Sequence, residues 1–356
     1  MIDPHVHLRD WSQSEKETLA HGLGVAQRCG FTALIDMPNT NPPLTHRAEI
    51  IRRIADAEAA NKAVRYHLWA GVTSQSDQIA EVVDVVAELF PTVVGVKLFA
   101  GHSTGNMGLI EEDVQRSVYS NLAALKYRGV IALHCEKEAL LRPELYDPTD
   151  YSTHSLARPP EAEVESINDQ LTLSNEAGFE GHLHICHLST IEGLQVIEEA
   201  KGEGRRITCG VTPHHLLLNE ELAKESFRYA KMNPPLRSEE TRAALFDALL
   251  EGRIDWIESD HAPHTIADKE AGASGIPGFS GMLLLLRVLY EHNVEDSFLQ
   301  GLFGVNVQHT LGLTSYPIVL PKKEALEALI QKAALEYPFD SFRGLSHSLR
   351  FGVPRS

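Results

Sequence analysis

The sequence predicts an α/β fold, a (β/α)8 TIM barrel that carries a C-terminal helical extension. Three observations lead there. Short, nearly continuous apolar runs alternate with longer amphipathic stretches along most of the chain, the pattern of parallel strands covered by helices. The alternation repeats eight times, the count of a closed (β/α)8 barrel. The chain has 356 residues, a length that one barrel with additions reaches.

Residues 2–7 read as the first strand and 15–29 as the helix that follows. A strand over 32–37 precedes a helix over 47–61, and a strand over 64–72 precedes a helix over 75–90. In that helix Ile79, Val82, Val83, Val86 and Leu89 recur at helical spacing. The next pairs are 92–99 with 111–127, 130–134 with 161–177, 182–188 with 191–201, and 206–211 with 239–250. The eighth strand is expected over 254–260 and its helix over 281–292. Two connections are long, 136–160 and 262–280. Both follow a strand, so in a barrel both lie at the catalytic face. Two or three helices are expected after Glu295, the last over 322–334. The barrel domain is accordingly assigned to 1–310 and the extension packed on it to 311–356.

Composition narrows the function. Hydrophobic residues make up 43% and charged residues 23%, as in ordinary globular proteins. Lys+Arg is 32 against 49 Asp+Glu, a net charge of −17. That balance, with no Lys/Arg run, argues against nucleic acid or an anionic membrane as partner. No stretch approaches the roughly 20 apolar residues needed to span a bilayer. Cys29, Cys135, Cys186 and Cys209 form no CxxC pair and read as buried free thiols. Reduced thiols and an N-terminus without a basic-then-apolar leader point to a cytoplasmic location.

The chemistry gathers at strand ends. In His5-Val6-His7-Leu8-Arg9 alternate residues share a strand face, so His5 and His7 project together. They suit one metal ion or a hydrogen-bonded pair. Lys97 closes the fourth strand, His134 the fifth, His187 the sixth and Asp260 the eighth. Singly, each has an ordinary structural role. Together they converge on the C-terminal face, where barrel active sites lie. Four histidines and a carboxylate suit a borderline divalent metal, with zinc the first choice. The count exceeds the three protein ligands of a simple catalytic zinc site, which favours two ions. Arg9, two residues beyond His7, can fork onto a substrate carboxylate. His214 and His215 read as structural. No phosphate-binding GxxxxGK[ST] loop, GxGxxG turn or GxSxG elbow occurs.

DPHVHLRD at 3–10, MPNT at 37–40, VKLFAGHSTGNM at 96–107, LHCE at 133–136, HICHLS at 184–189, GVTPHHLLL at 210–218, KMNPPLR at 231–237, ESDHAPHT at 258–265 and SGIPGF at 274–279 resemble, in this order, the amidohydrolase superfamily and within it the dihydroorotases. The resemblance covers roughly residues 2–282. It implies a metal-dependent cyclic amide hydrolase of pyrimidine biosynthesis that interconverts N-carbamoyl-L-aspartate and L-dihydroorotate. It implies two Zn2+ ions, one on His5 and His7, the other on His134 and His187, bridged by a carboxylated Lys97. Asp260 would bind the first ion and act as base. Substrate would meet Arg9, Asn39, Asn233, His264 and the backbone at Pro277 and Gly278. A hydantoinase or allantoinase-like activity, or an inactive scaffold, is the alternative. Many relatives carry a small β-sandwich; here the HxH begins at residue 5 and the fold is expected to lack it. The loop at 101–108 is read as a mobile cover over the pocket. The expected partner is a small molecule, and a homodimer or an association with another pyrimidine-pathway enzyme is compatible with the family.

Overall fold

The computed structural model describes residues 1–103, 107–221, 228–314 and 316–343. Eight parallel strands run in sequence order through one sheet: β1 (Ile2–Val6), β2 (Ala33–Asp36), β3 (Arg65–Gly71), β4 (Val93–Ala100), β5 (Val130–Cys135), β6 (His182–Ile185), β7 (Ile207–Val211) and β8 (Trp256–Ile257). A parallel bridge between Val6 and His261 joins the last strand's continuation to the first. The expected (β/α)8 barrel is therefore observed.

Around it run α1 (Leu19–Arg28), α2 (Arg47–Ala60), α3 (Ser76–Leu89), α4 (Glu112–Ala124), α5 (Thr153–Ala157), α6 (Pro160–Glu176), α7 (Ile191–Gly202), α8 (Pro213–Leu217), α9 (Glu239–Leu250), α10 (Ile266–Glu270) and α11 (Phe279–Glu291). Then come α12 (Asp296–Gln300), α13 (Asn306–Leu311) and α14 (Lys323–Leu335), which packs on α11. Among the described residues three α-helices thus follow Glu295, as the sequence suggests.

Several boundaries differ from expectation for local reasons. The sixth and eighth strands are shorter than 182–188 and 254–260. His187 and Asp260 take φ of 38° and 48°, a left-handed backbone that cannot continue a ladder. The first helix starts at Leu19 rather than 15, because Thr18 caps it by accepting from His21 N (3.2 Å) and Asp10 Oδ2 accepts from Leu19 N (2.9 Å). The TPHH segment forms α8, with Thr212 as cap and Pro213 in the first turn.

The core has two layers. A large apolar shell lies between strands and helices. A second cluster fills the barrel interior with Trp69 and Trp256 among Ile2, Ile35, Val94 and Ala132. Trp69 Nε1 donates to Pro4 O (3.1 Å), which satisfies its one polar atom. Val307 and Leu311 of α13 join this cluster, and Asn306 Nδ2 donates to Asp255 O (2.7 Å) just before β8. The end of the barrel opposite the site is thereby plugged. Gly95 makes room for it: a Cβ there would stand 2.9 Å from the Trp69 ring and 2.4 Å from Val130 O.

Trp69→Ala should cost about 3–5 kcal/mol of stability, read as a lower urea midpoint. A cost below about 1 kcal/mol, the size of an ordinary substitution, would contradict a packed barrel interior.

Candidate active site

The side chains at the strand ends meet. His5 Nε2 and His7 Nε2 stand 3.2 Å apart, and Asp260 Oδ1 lies 2.9 Å from His7 Nε2 and 3.4 Å from His5 Nε2. Ligands about 2.0–2.1 Å from a tetrahedral zinc ion are separated by roughly 3.3 Å, so this triangle has the dimensions of one face of such a site. Beside it His134 Nδ1 and His187 Nε2 are 3.1 Å apart. The His5 and His187 ring centroids are 5.1 Å apart, which makes the two pairs one cluster.

What orients these rings is on their far sides. His5 Nδ1 donates to Glu258 Oε1 (3.1 Å), and His7 Nδ1 donates to Asn39 Oδ1 (2.5 Å). His134 Nε2 lies 3.0 Å from Glu136 Oε2, and Arg158 grips Glu136 through Nε (2.9 Å) and Nη2 (2.6 Å). For His5 and His7 the oxygen on the far nitrogen fixes the tautomer and aims the other lone pair inward, the arrangement metal-ligating histidines use, whereas His134 Nε2 lies near Glu136 without a hydrogen bond among the described residues. His187 Nδ1 has no hydrogen-bond partner; its backbone N–H donates to Glu258 Oε1 (2.6 Å).

Electrostatics agree with neutral ligands at most of these positions. Burial pushes His7 down to about 4 and His187 well below the usual imidazole range. Burial acts the same way on His5, but negative charge at Cys186 and Glu258 outweighs it and lifts His5 to about 10. A cation on His5 therefore competes with a proton. Asp260 is held below the usual carboxylate range: burial opposes this, and the closeness of His7 with the charge of His5 overcomes it.

Lys97 is buried on β4 with Nζ 3.1 Å from Cys186 Sγ. Among the described residues no carboxylate pairs with it. Burial pushes the Cys186 thiol up, but the Lys97 charge outweighs it and brings the thiol down to about 5, and the Phe99 ring lies 4.9 Å from Lys97 Nζ. Cys186, a buried free thiol as expected, thus packs directly beneath the site against Lys97.

A small cleft opens over the cluster. Its wall includes His5, His7, Arg9, Asn39, His134, His187, Asn233 and Asp260. Arg9 Nε donates to Pro263 O (3.2 Å), and Arg9 Nη2 lies 3.4 Å from His264 Nε2. His264, Pro277 and Gly278 are buried behind the wall; Ser274 and Gly275 line it instead. Gly275 has φ of 132°, and a Cβ there would meet His264 Nε2 at 2.9 Å. Ser103 also lines the cavity, but residues 104–106 of the expected mobile cover lie outside the described residues. His214 is buried with neither ring nitrogen paired, while His215 is tied to Thr212 Oγ1 (2.8 Å) and Pro234 O (3.2 Å).

Three supports were not anticipated from sequence. Glu258 holds His5, His184 Nε2 (3.2 Å) and Trp256 Nε1 (3.1 Å). Its signal was available, since it shares a strand face with Asp260 two residues on. A Cβ on Gly210 would stand 2.2 Å from Glu258 Oε2, so only glycine leaves room for this carboxylate. Arg53 of α2 donates to Arg9 O (2.7 Å), Leu8 O and Asp36 Oδ2 (2.7 Å), clamping the backbone that presents Arg9. Arg158 comes from the long 136–160 connection. Neither arginine shows itself in a local pattern.

No family model matches the chain. A dihydroorotase of Lactobacillus johnsonii is 32% identical over 300 residues, covering 83% of this chain and 68% of that protein. A dihydroorotase of Geobacillus sp. is 36% identical over 304 residues, with 84% and 68% covered. One from Thermococcus kodakarensis is 37% identical over 290 residues, 80% of this chain and 61% of its own. Among solved structures, L-hydantoinase from Arthrobacter aurescens superposes with a TM-score of 0.80 at 24% identity, covering 90% of this chain and 72% of that one. D-hydantoinase from Thermus sp. gives 0.76 at 22%, with the same coverage. These two likenesses concern the fold. The barrel, the convergent histidines and the matched sequences together place the chain in the dihydroorotase family, among the metal-dependent amidohydrolases that act on cyclic amides.

Proposed function

We propose that the chain interconverts N-carbamoyl-L-aspartate and L-dihydroorotate. The observation that carries this reading is Arg9. It shares a cavity wall with the histidine–aspartate cluster and is clamped through its own carbonyl. A cyclic amide bearing a carboxylate needs such a guanidinium within one ring's width of the reacting carbonyl. An uncharged hydantoin does not, which is why hydantoinase activity is the lesser reading. Asn39 and Asn233 stand on the same wall to add polar contacts, with the Ser274–Gly275 backbone beside them. His264 serves by holding Arg9.

The donor set fits divalent metal, and we assign His5, His7 and Asp260 to one Zn2+ and His134 and His187 to a second. Lys97, buried without a carboxylate partner, is the candidate for reaction with CO2; as a carbamate it becomes an anionic oxygen ligand able to bridge. Bound metal would supply Lewis-acid polarisation of the ring carbonyl and water activation. The chain's own residues do the rest. Arg9 fixes the substrate carboxylate and so the ring's orientation. Asp260, with its carboxyl held ionised, accepts a proton from the attacking water and hands it to the departing ring nitrogen. In the reverse direction it removes the proton from the closing nitrogen. Glu258 and Asn39 keep the His5 and His7 imidazoles aimed throughout.

Arg9→Met should lower kcat/KM for dihydroorotate by roughly 10–100-fold, the loss of about 1.5–3 kcal/mol of charge-assisted contact. Turnover of dihydrouracil, which lacks the carboxylate, should change far less. Equal losses on both substrates would make Arg9 structural.

Asp260→Asn keeps the shape and one weak oxygen ligand but cannot take up a proton. Metal content should stay near that of the unmodified chain while kcat falls about 10²–10⁴-fold, the usual worth of a general base. A normal metal content with more than about a tenth of the turnover would place the base elsewhere, with His264 the next candidate.

A further inference from the structure

We infer that residues 337–342 form a strap that positions the metal-binding side of the site through His261, with Tyr337 as the positioning residue; this rests on the metal-dependent reading above. The argument begins at the barrel seam. β8 is only two residues long, so near the site the join between β8 and β1 depends on His261. Its carbonyl accepts from His7 N (2.7 Å), it bridges to Val6 and to Ile276, and it directly follows Asp260. Two proposed ligands of one metal, His7 and Asp260, thus hang on one residue's backbone. Asp260 occupies a left-handed conformation, φ 48°, which persists only where its surroundings enforce it.

The His261 ring is fixed on every side. Gly278 N donates to Nδ1 (3.1 Å), which puts the ring proton on Nε2. Nε2 then donates to Glu17 Oε1 (3.2 Å). Phe279 stacks on the ring at 4.0 Å, nearly parallel. The remaining contact comes from beyond the barrel: Tyr337 OH donates to the same Glu17 Oε1 (2.7 Å) and lies 3.3 Å from His261 Nε2. Glu17, His261 and Tyr337 are all buried. Tyr337 therefore holds the carboxylate that holds the ring.

The rest of the segment grips neighbouring loops of the same face. Phe339 stacks on Tyr229 at 5.1 Å and lies under Lys269 Nζ at 5.6 Å. Lys269 is itself buried and donates to Lys231 O (2.9 Å), Ala273 O (2.9 Å) and Gly275 O (2.8 Å), which ties down the loop that lines the cavity. Ser341 Oγ donates to Tyr229 O (3.0 Å). The Phe342 ring fills the space over Gly281, where a Cβ would come within 2.4 Å of it.

The test compares zinc-loaded full-length chain with Tyr337→Phe, Glu17→Gln and the control Tyr290→Phe, which removes a tyrosine hydroxyl that among the described residues donates to Pro321 O (3.4 Å), away from the site. Two readouts are taken: zinc retained against increasing dipicolinate, and kcat and KM for dihydroorotate. Residues that orient metal ligands typically carry 10–100-fold in metal affinity or activity. Tyr337→Phe and Glu17→Gln should release zinc at about tenfold lower chelator and lose about tenfold in kcat, with KM nearly unchanged. Tyr290→Phe should match the unmodified chain in both. If Glu17→Gln does not fold, Tyr337→Phe, which deletes a single oxygen, decides alone. Zinc retention and kcat equal to the unmodified chain overturn the strap. An unmodified chain that takes up no zinc overturns the metal-dependent reading, and the strap with it.

Discussion

The organisation of this protein depends on one arrangement: four buried imidazoles whose inner nitrogens face one another, with the outer nitrogens of His5 and His7 held by oxygen acceptors. Two nitrogen lone pairs at 3.1–3.2 Å repel unless a proton or a cation lies between them. Glu258 and Asn39 take up the N–H donors of His5 and His7 on the outside. The inside is left rich in lone pairs, with the Asp260 carboxylate added. Such a core is costly in the absence of a cation and well satisfied with one.

The barrel serves that arrangement by over-determining it. The candidate ligands come from β1, β4, β5, β6 and β8 or just past them, and tethers reach the site from several further elements. Arg158, from the connection after β5, holds Glu136; Arg53 of α2 holds Leu8 and Arg9; Tyr337, beyond α14, holds Glu17 and through it His261. His187 and Asp260 both adopt positive φ, so two candidate ligands carry backbone strain that the packed scaffold maintains. The same left-handed residues end strands β6 and β8 early. Strand termination and ligand presentation are thus one event, since turning the backbone is what swings each side chain over the barrel mouth.

Much of this was legible in the sequence because it repeats with a short period. Apolar runs and helical spacing gave the eight units, and the two-residue period of a strand put His5, His7 and Arg9 on one face. Glu258 obeyed the same rule and was overlooked because Asp260 seemed to supply the strand's chemistry. Arg53, Arg158 and Tyr337 were not legible, because each acts across tens to hundreds of residues through a carbonyl or another side chain. Cys186 read as filler; its contact with Lys97 follows from the register of β4, β5 and β6, which only the folded sheet sets. Pro277 and Gly278 were expected at the substrate, but the wall is made three residues earlier, where the positive φ of Gly275 brings backbone to the cavity.

The central claim is that the inward-facing cluster is a two-metal centre completed by Lys97. Its most direct test is calorimetric titration of Zn2+ into metal-stripped chain, with bicarbonate present and with CO2 excluded, alongside mass spectrometry of the intact chain. The account predicts two zinc ions per chain in bicarbonate, uptake accompanied by proton release as His5 gives up its proton, and a mass increase of one CO2 at Lys97. Excluding CO2 should weaken the second ion. No zinc uptake, or two ions bound equally well by an unmodified lysine, would contradict it.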